Sequence, residues 1–216
     1  MTMINTEMHV KLAMTEASVL NACGVSYLAN ATNVSDLKKS FDNFKAALGI
    51  IARISESLGP EGAYGGPTPT VKIHVASRTH DTHDAGVSSS LSISRRLVDF
   101  SLNQERPGSI SFETLTLCSA IIMYNYALGL QLKGSFQKAS MLYEHAMKLL
   151  GPISSALDCT MIISLLMDNL FHVYYRLGDF RSAKTVSEQR LLAETRYLMS
   201  KEEYHNKSRK FVAPSA

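Results

Sequence analysis

Apolar residues recur at helical spacing over two long stretches at the beginning of the chain. Within residues 6–29 they return every three or four positions, which predicts a first helix. Residues 33–36 interrupt this pattern, and Ser35 has the side chain of an N-cap for a second helix. The second helix keeps its apolar spacing through Leu58. Gly59-Pro60 then ends it, because proline cannot continue the hydrogen-bond ladder.

The next segment, residues 59–110, has a different character. It is rich in glycine, proline and serine and shows no sustained helical period, so we interpret it as a loop insertion. Residues 70–75 alternate apolar and polar side chains, and residues 91–94 do so more briefly. These two stretches predict either a short hairpin laid against the helices or, if they fail to pair, a disordered loop.

Helical spacing returns near Ser111 and continues in four further segments. Gly134 and Gly178 each separate two of them, as expected for tight turns between antiparallel helices. Ser155 and Asp158 resemble a capping box that opens the third pair. The predicted organisation is a helix pair at 1–58, the insertion at 59–110, further helix pairs at 111–152 and 153–200, and a flexible tail at 201–216.

An internal repeat links the second and third helix pairs. When Gly134 is aligned with Gly178, the offset is 44 residues and five other positions between residues 123 and 144 become identical. They are Met123/Met167, Asn125/Asn169, Phe136/Phe180, Ala139/Ala183 and Glu144/Glu188. Several of these positions meet a physical need of a helical hairpin, since glycine permits the turn and small alanines let two helices approach closely.

The second pair carries the fullest pattern, with Tyr124-Asn-Tyr-Ala127, Leu130, Gly134-Ser-Phe136, Ala139, Tyr143 and Ala146. This pattern resembles the tetratricopeptide repeat (TPR) family. The offset exceeds that family's usual period of about 34 residues, which resembles its long-repeat branch, typified by kinesin light chains. The third pair departs from the pattern at Phe171, Ser187 and Arg190, and the first pair has a longer turn. The resemblance implies an all-α fold of about three hairpins, stacked as a right-handed solenoid with a long loop insertion.

In that family the first helices of successive hairpins line a concave groove that binds a protein or peptide. The resemblance places the groove residues here at Asn21, Tyr124, Asn125, Leu128, Gln131, Asp168, Asn169, His172, Tyr175 and Arg176. Asn125 and Asn169 could hydrogen-bond the backbone of an extended peptide, or they could satisfy contacts between helices. The basic residues with which chaperone-binding relatives clamp a C-terminal carboxylate are absent from the equivalent positions.

Composition narrows the partner classes. A net charge of +3 over 216 residues gives no field that would attract nucleic acid. Three well-separated cysteines and the lack of a recognisable signal peptide favour a cytoplasmic protein. The longest apolar stretch is placed at residues 161–167, which is far shorter than the about 20 residues that cross a membrane, so we predict no membrane partner. No phosphate loop, zinc-protease motif or nucleophile elbow occurs, so we predict no enzyme activity and no cofactor.

These observations predict an intracellular scaffold for protein–protein interaction. The exposed end of the third pair could also recruit a second copy, which predicts weak self-association. The alternative is a metal-binding or enzymatic module that uses the histidine-rich insertion. Its potential ligands are His74, His80, Asp81, His83 and Asp84, although their spacing matches no known metal motif.

Overall fold

The computed structural model describes residues 2–58, 71–77, 96–102, 110–153, 157–193 and 195, and 84% of the interpretable residues are helical. In chain order the elements are α1 (Thr2–Ala29), α2 (Val34–Leu58), β1 (Val71–Ser77), β2 (Arg96–Leu102), α3 (Phe112–Leu132), α4 (Phe136–Leu150), a short 3-10 turn (Gly151–Ile153), α5 (Leu157–Leu177) and α6 (residues 180–193). The mainly helical character predicted from the sequence is therefore confirmed. The predicted capping residue Ser155 and the tail at 201–216 lie outside the described residues.

The helix starts follow from local side-chain hydrogen bonds. Ser111 caps α3, since its hydroxyl oxygen accepts from the Thr114 backbone N–H at 3.1 Å. At α2 the prediction was wrong by two residues: the Asn33 side-chain oxygen accepts from the Asp36 N–H at 3.0 Å, and Ser35 already lies inside the helix. Asparagine and serine are comparably good N-caps, so the sequence could not decide between them.

The two glycine turns have the left-handed backbone that their positions predict. Gly134 has a φ of 81° and Gly178 a φ of 75°, in the region that residues with a Cβ rarely adopt. Each turn also closes with backbone hydrogen bonds onto the preceding helix. The Ser135 N–H donates to the Leu130 carbonyl at 2.8 Å, and the Asp179 N–H donates to the Tyr174 carbonyl at 2.9 Å.

We expect Gly134→Ala to lower the free energy of unfolding by about 1 kcal/mol, because the added Cβ disfavours the positive φ. No atom lies within 4 Å of the position of that Cβ, so the loss reflects backbone strain alone. Gly151→Ala is the matched control, since Gly151 has an open surrounding and a φ of −48°. Equal stabilities of the two variants in urea unfolding would contradict this reading of the turn.

Each helix packs against the next one along the chain, from α1 through α5. The closest approaches occur at glycines: Gly24 of α1 faces the Phe44 ring of α2, and Gly129 of α3 faces the Phe41 ring. Ala127 and Ala139, predicted as the small residues between α3 and α4, are fully buried. Small residues therefore allow the aromatic rings to fill a single continuous core.

The insertion contains an antiparallel hairpin, with β1 and β2 paired in the register Val71↔Leu102 to Ser77↔Arg96. The first strand lies close to the predicted one. The second is Arg96–Leu102, whereas the predicted stretch at 91–94 lies outside the described residues. Alternation does not reveal β2, because the adjacent residues Leu97 and Val98 are both buried.

Helix α3 is long and apolar enough to cross a membrane by length and composition alone. The sequence was expected to have its longest apolar stretch at residues 161–167, but α3 is longer. In the fold, 72% of the apolar window of α3 is buried inside the protein. It packs against α4, α2 and β2, and a central core helix meets the same length and composition test.

The three cysteines lie in different surroundings, which predicts a specific labelling pattern. Cys23 is exposed, whereas Cys118 and Cys159 are buried, and burial raises the pKa of the Cys118 thiol to about 12. Because the thiolate is the reactive form, we expect a maleimide to modify one cysteine rapidly in the folded protein and all three in denaturant. Intact-mass spectrometry would show this. Rapid labelling of all three in the folded protein would contradict the burial of Cys118 and Cys159.

Candidate functional site: a groove holding an extended strand

Strand β2 packs against helices α1 and α3 and pairs along one edge with β1. In an antiparallel pair, successive residues direct their backbone groups alternately toward and away from the partner strand. The backbone groups of Arg96, Val98 and Phe100 bond to side chains outside the hairpin or to a neighbouring carboxylate, so they face away from β1. This second edge of β2 is covered by no strand in the described part of the chain, and helix side chains satisfy most of its backbone groups.

Asn125 of α3 is the centre of this arrangement. Its side-chain oxygen accepts from the Val98 N–H at 3.0 Å, and its amide nitrogen donates to the Val98 carbonyl at 2.6 Å. The same amide nitrogen also donates to the side-chain oxygen of Asn21 at 3.0 Å. Asn125 is fully buried, so it supplies in the interior the two bonds that a neighbouring strand would otherwise provide.

Helix α1 contributes two side chains to the same strand. The buried Asn21 amide donates to the Val98 carbonyl at 3.3 Å and to the Asp99 carboxylate at 3.1 Å. Ser18 donates to the Phe100 carbonyl at 2.6 Å. Ser18 is not among the residues predicted from the sequence, although its position three residues before Asn21 places both on one face of a helix.

Tyr124 extends the contact to the beginning of β2. Its hydroxyl donates to the Arg96 carbonyl at 2.7 Å and accepts from the Asn169 side-chain amide at 3.2 Å. Burial raises the pKa of Tyr124, so its hydroxyl keeps the proton that it donates. Asn169, which the internal repeat aligns with Asn125, is fully buried. Its side-chain oxygen has no hydrogen-bond partner among the residues that the structure describes.

Other predicted groove residues have structural roles instead. Leu128 and Gln131 are buried in the core, and the Gln131 side-chain oxygen accepts from the Tyr143 hydroxyl at 2.9 Å. Asp168 of α5 forms an ion pair with Arg190 of α6. Both Leu128 and Gln131 are therefore not accessible to a partner in this structure, and Tyr143 of α4 lies against Gln131.

The remaining predicted residues lie near the end of α5, where the surface is accessible. Tyr175 is 46% exposed and stacks on Phe171, with ring centroids 6.3 Å apart. Phe180 of α6 meets the edge of Tyr175 at 5.4 Å. His172 packs edge-on against Phe171, and the Arg176 guanidinium lies 5.6 Å from the centre of the Phe136 ring. We call Phe171, His172, Tyr175, Arg176 and Phe180 the α5 surface.

The structure thus divides the ten predicted groove residues among different surroundings. Asn21, Tyr124 and Asn125 bind β2 directly, and Asn169 reaches it through Tyr124. A strand of the same chain therefore already bonds to the predicted binding residues of α1 and α3. A spacing pattern cannot show this, since β2 is 77 residues from Asn21 in sequence.

The alternative metal site receives no support from the described part of the chain. His74 is exposed on β1 with its ring nitrogen 3.5 Å from the Ser101 hydroxyl, while His80, Asp81, His83 and Asp84 lie outside the described residues. Within the described ranges, no group of three or more metal-ligating side chains occurs.

Comparison of the chain with protein-family models, curated proteins and solved structures gives no match.

Proposed function

We propose that this chain is a protein-binding scaffold of the TPR type, whose inner helices hold extended polypeptide by its backbone. The observation that carries the proposal is the pair of hydrogen bonds between Asn125 and both backbone groups of Val98. Asn125 bonds an extended strand of its own chain and also donates to Asn21 of α1, so it combines the two roles that the sequence left open. Such bonds recognise conformation rather than a particular residue, as a binding scaffold requires.

Several features support the array part of the proposal. Helices joined by left-handed glycines pack in chain order, and an offset of 44 residues relates Asn125 to Asn169. Repeats of this kind bury an apolar face only against their neighbours, and they leave the inner helices available for a guest. We place this scaffold in the cytoplasm.

The α5 surface is where an external partner would make its first contact. Strand β2 covers α1 and α3, whereas Tyr175 and Arg176 are exposed. Exposed aromatic and arginine side chains are enriched among residues that dominate binding energy at interfaces.

The test is affinity capture from native extract with three full-length proteins: wild type, Tyr175→Ala/Arg176→Ala, and the control Lys138→Ala/Lys184→Ala. The control removes two exposed charges from the outer helices α4 and α6. We expect wild type and control to recover the same proteins and the α5-surface variant to lose them. Overlapping peptides of each recovered protein should then locate a single short segment that binds.

Recovery of the same proteins by all three forms would contradict the assignment of the α5 surface. Binding that requires a folded partner domain, with no single segment active, would contradict recognition of extended polypeptide.

A further inference from the structure

The groove under β2 recognises the strand almost entirely through its backbone. Three successive outward carbonyls, of Arg96, Val98 and Phe100, accept hydrogen bonds from helix side chains, and the Val98 N–H donates to one. Asp99 alone uses its side chain, accepting from Asn21. Any segment with the same extended conformation could therefore make nearly all of these bonds.

Simple release of β2 would expose apolar surface to water. Asn21 and Asn125 would exchange their bonds to the Val98 backbone for bonds to water, but the buried side chains of Leu97, Val98 and Phe100 would become exposed. Another extended segment with apolar side chains would restore both the hydrogen bonds and the burial. Exchange of strands is for that reason favoured over simple release of β2.

The side chains of β2 define what a replacement must look like. Leu97, Val98 and Phe100 are at most 2% exposed, and Asp99 reaches the Asn21 amide at 3.1 Å. Arg96, by contrast, is exposed, so its side chain contributes little to recognition. The matching pattern is two apolar residues, one acidic residue and one further apolar residue, in extended conformation.

From these observations we infer that β2 is an exchangeable internal ligand. The groove between α1 and α3 is a second binding site, which takes a partner's extended segment with the apolar–apolar–acidic–apolar pattern of Leu97–Phe100. The inference rests on the proposed function in that the inner helices recognise extended polypeptide. The inference goes beyond the proposed function because it names the partner's chemistry and requires β2 to leave as the partner enters.

Attachment to the same chain gives β2 a strong advantage over a free competitor. A ligand that belongs to the same chain acts at an effective concentration of about millimolar, so a free segment displaces β2 only when β2 itself is weakened or the partner binds elsewhere as well. The α5 surface would supply that additional contact.

The experiment uses a fluorescent peptide with the sequence of residues 95–103 and the full-length protein. In Phe100→Ala the internal strand loses its largest buried side chain while the groove side chains stay unchanged. We expect this variant to bind the peptide about tenfold or more tightly than wild type, measured by fluorescence anisotropy. Asp99→Ala is a milder variant that removes the bond to Asn21, and it should give a smaller increase. A peptide with aspartate at the Val98 position is the negative control.

Nuclear magnetic resonance of the labelled variant then locates the peptide. The side-chain amides of Asn21 and Asn125 should shift on peptide addition and remain protected from exchange at saturation. A folded Phe100→Ala protein that binds no more tightly than wild type would overturn the inference. If Phe100→Ala does not fold, the same result for Asp99→Ala would overturn it, as would a peptide that leaves both asparagine amides unchanged.

This test is independent of the capture experiment. If the peptide does not replace β2, partners could still bind at the α5 surface. If the recovered partners do not depend on Tyr175 and Arg176, the peptide could still replace β2.

Discussion

Asn125→Leu is expected to lower the free energy of unfolding by about 3 kcal/mol, although leucine is nearly the same size and more apolar. The Val98 N–H would lose its acceptor and the Asn21 side-chain oxygen would lose its donor, both in the buried interior. Each unsatisfied buried group costs about 1–3 kcal/mol. The gain from burying an apolar side chain offsets only part of this loss.

Chemical denaturation followed by circular dichroism measures the loss. Asn43→Ala is the control, because Asn43 bonds only the Lys39 carbonyl of its own helix at 2.8 Å in an exposed position. We expect that change to stay within about 0.5 kcal/mol of wild type, as surface substitutions usually do. Similar stabilities for the two variants would mean that Asn125 does not hold β2 as described.

Gly24→Ala is expected to lower the free energy of unfolding by about 2 kcal/mol, which is unusual for an alanine in a helix. The new Cβ would lie 2.5 Å from Cε1 and 2.7 Å from Cδ1 of Phe44, a fully buried ring. The ring or helix α1 has to move, and overpacking of this kind costs about 1–3 kcal/mol. The loss therefore outweighs the helix propensity that alanine adds.

Gly49→Ala provides the opposite control, since no atom lies within 4 Å of the added Cβ in helix α2. There we expect a gain of about 0.5–1 kcal/mol from reduced backbone entropy. Phe44→Leu should recover part of the stability of Gly24→Ala, as measured by a double-mutant cycle in urea. A Gly24→Ala protein as stable as wild type would contradict the close packing of α1 on α2.

The helices and their turns could be predicted because their causes are local. Apolar spacing indicates which face of each helix is buried, and a glycine between two such stretches indicates the turn, as the positive φ values of Gly134 and Gly178 show. These signals lie within a few residues of the features that they determine.

The groove could be predicted only in part, because its occupant is determined by distant residues. The repeat pointed to Asn125 and Asn169, but nothing near Asn125 indicates that Val98 is its partner. Strand β2 lacks alternation because the adjacent residues Leu97 and Val98, whose side chains point to opposite faces of the strand, are both buried. The burial of Leu128 and Gln131 was not foreseen, because helical spacing does not tell which neighbouring helix covers a given face.

The exchange rate of the Val98 backbone amide tests the central claim most directly. This N–H faces away from β1, and among the described residues it donates to the Asn125 side chain, so we expect that bond to protect it. Residue-resolved hydrogen exchange should show the Val98 amide protected to a similar degree as the Asp99 and Ser101 amides of the same strand. A Val98 amide that exchanges freely, beside protected neighbours, would contradict the proposal that the inner helices hold an extended backbone.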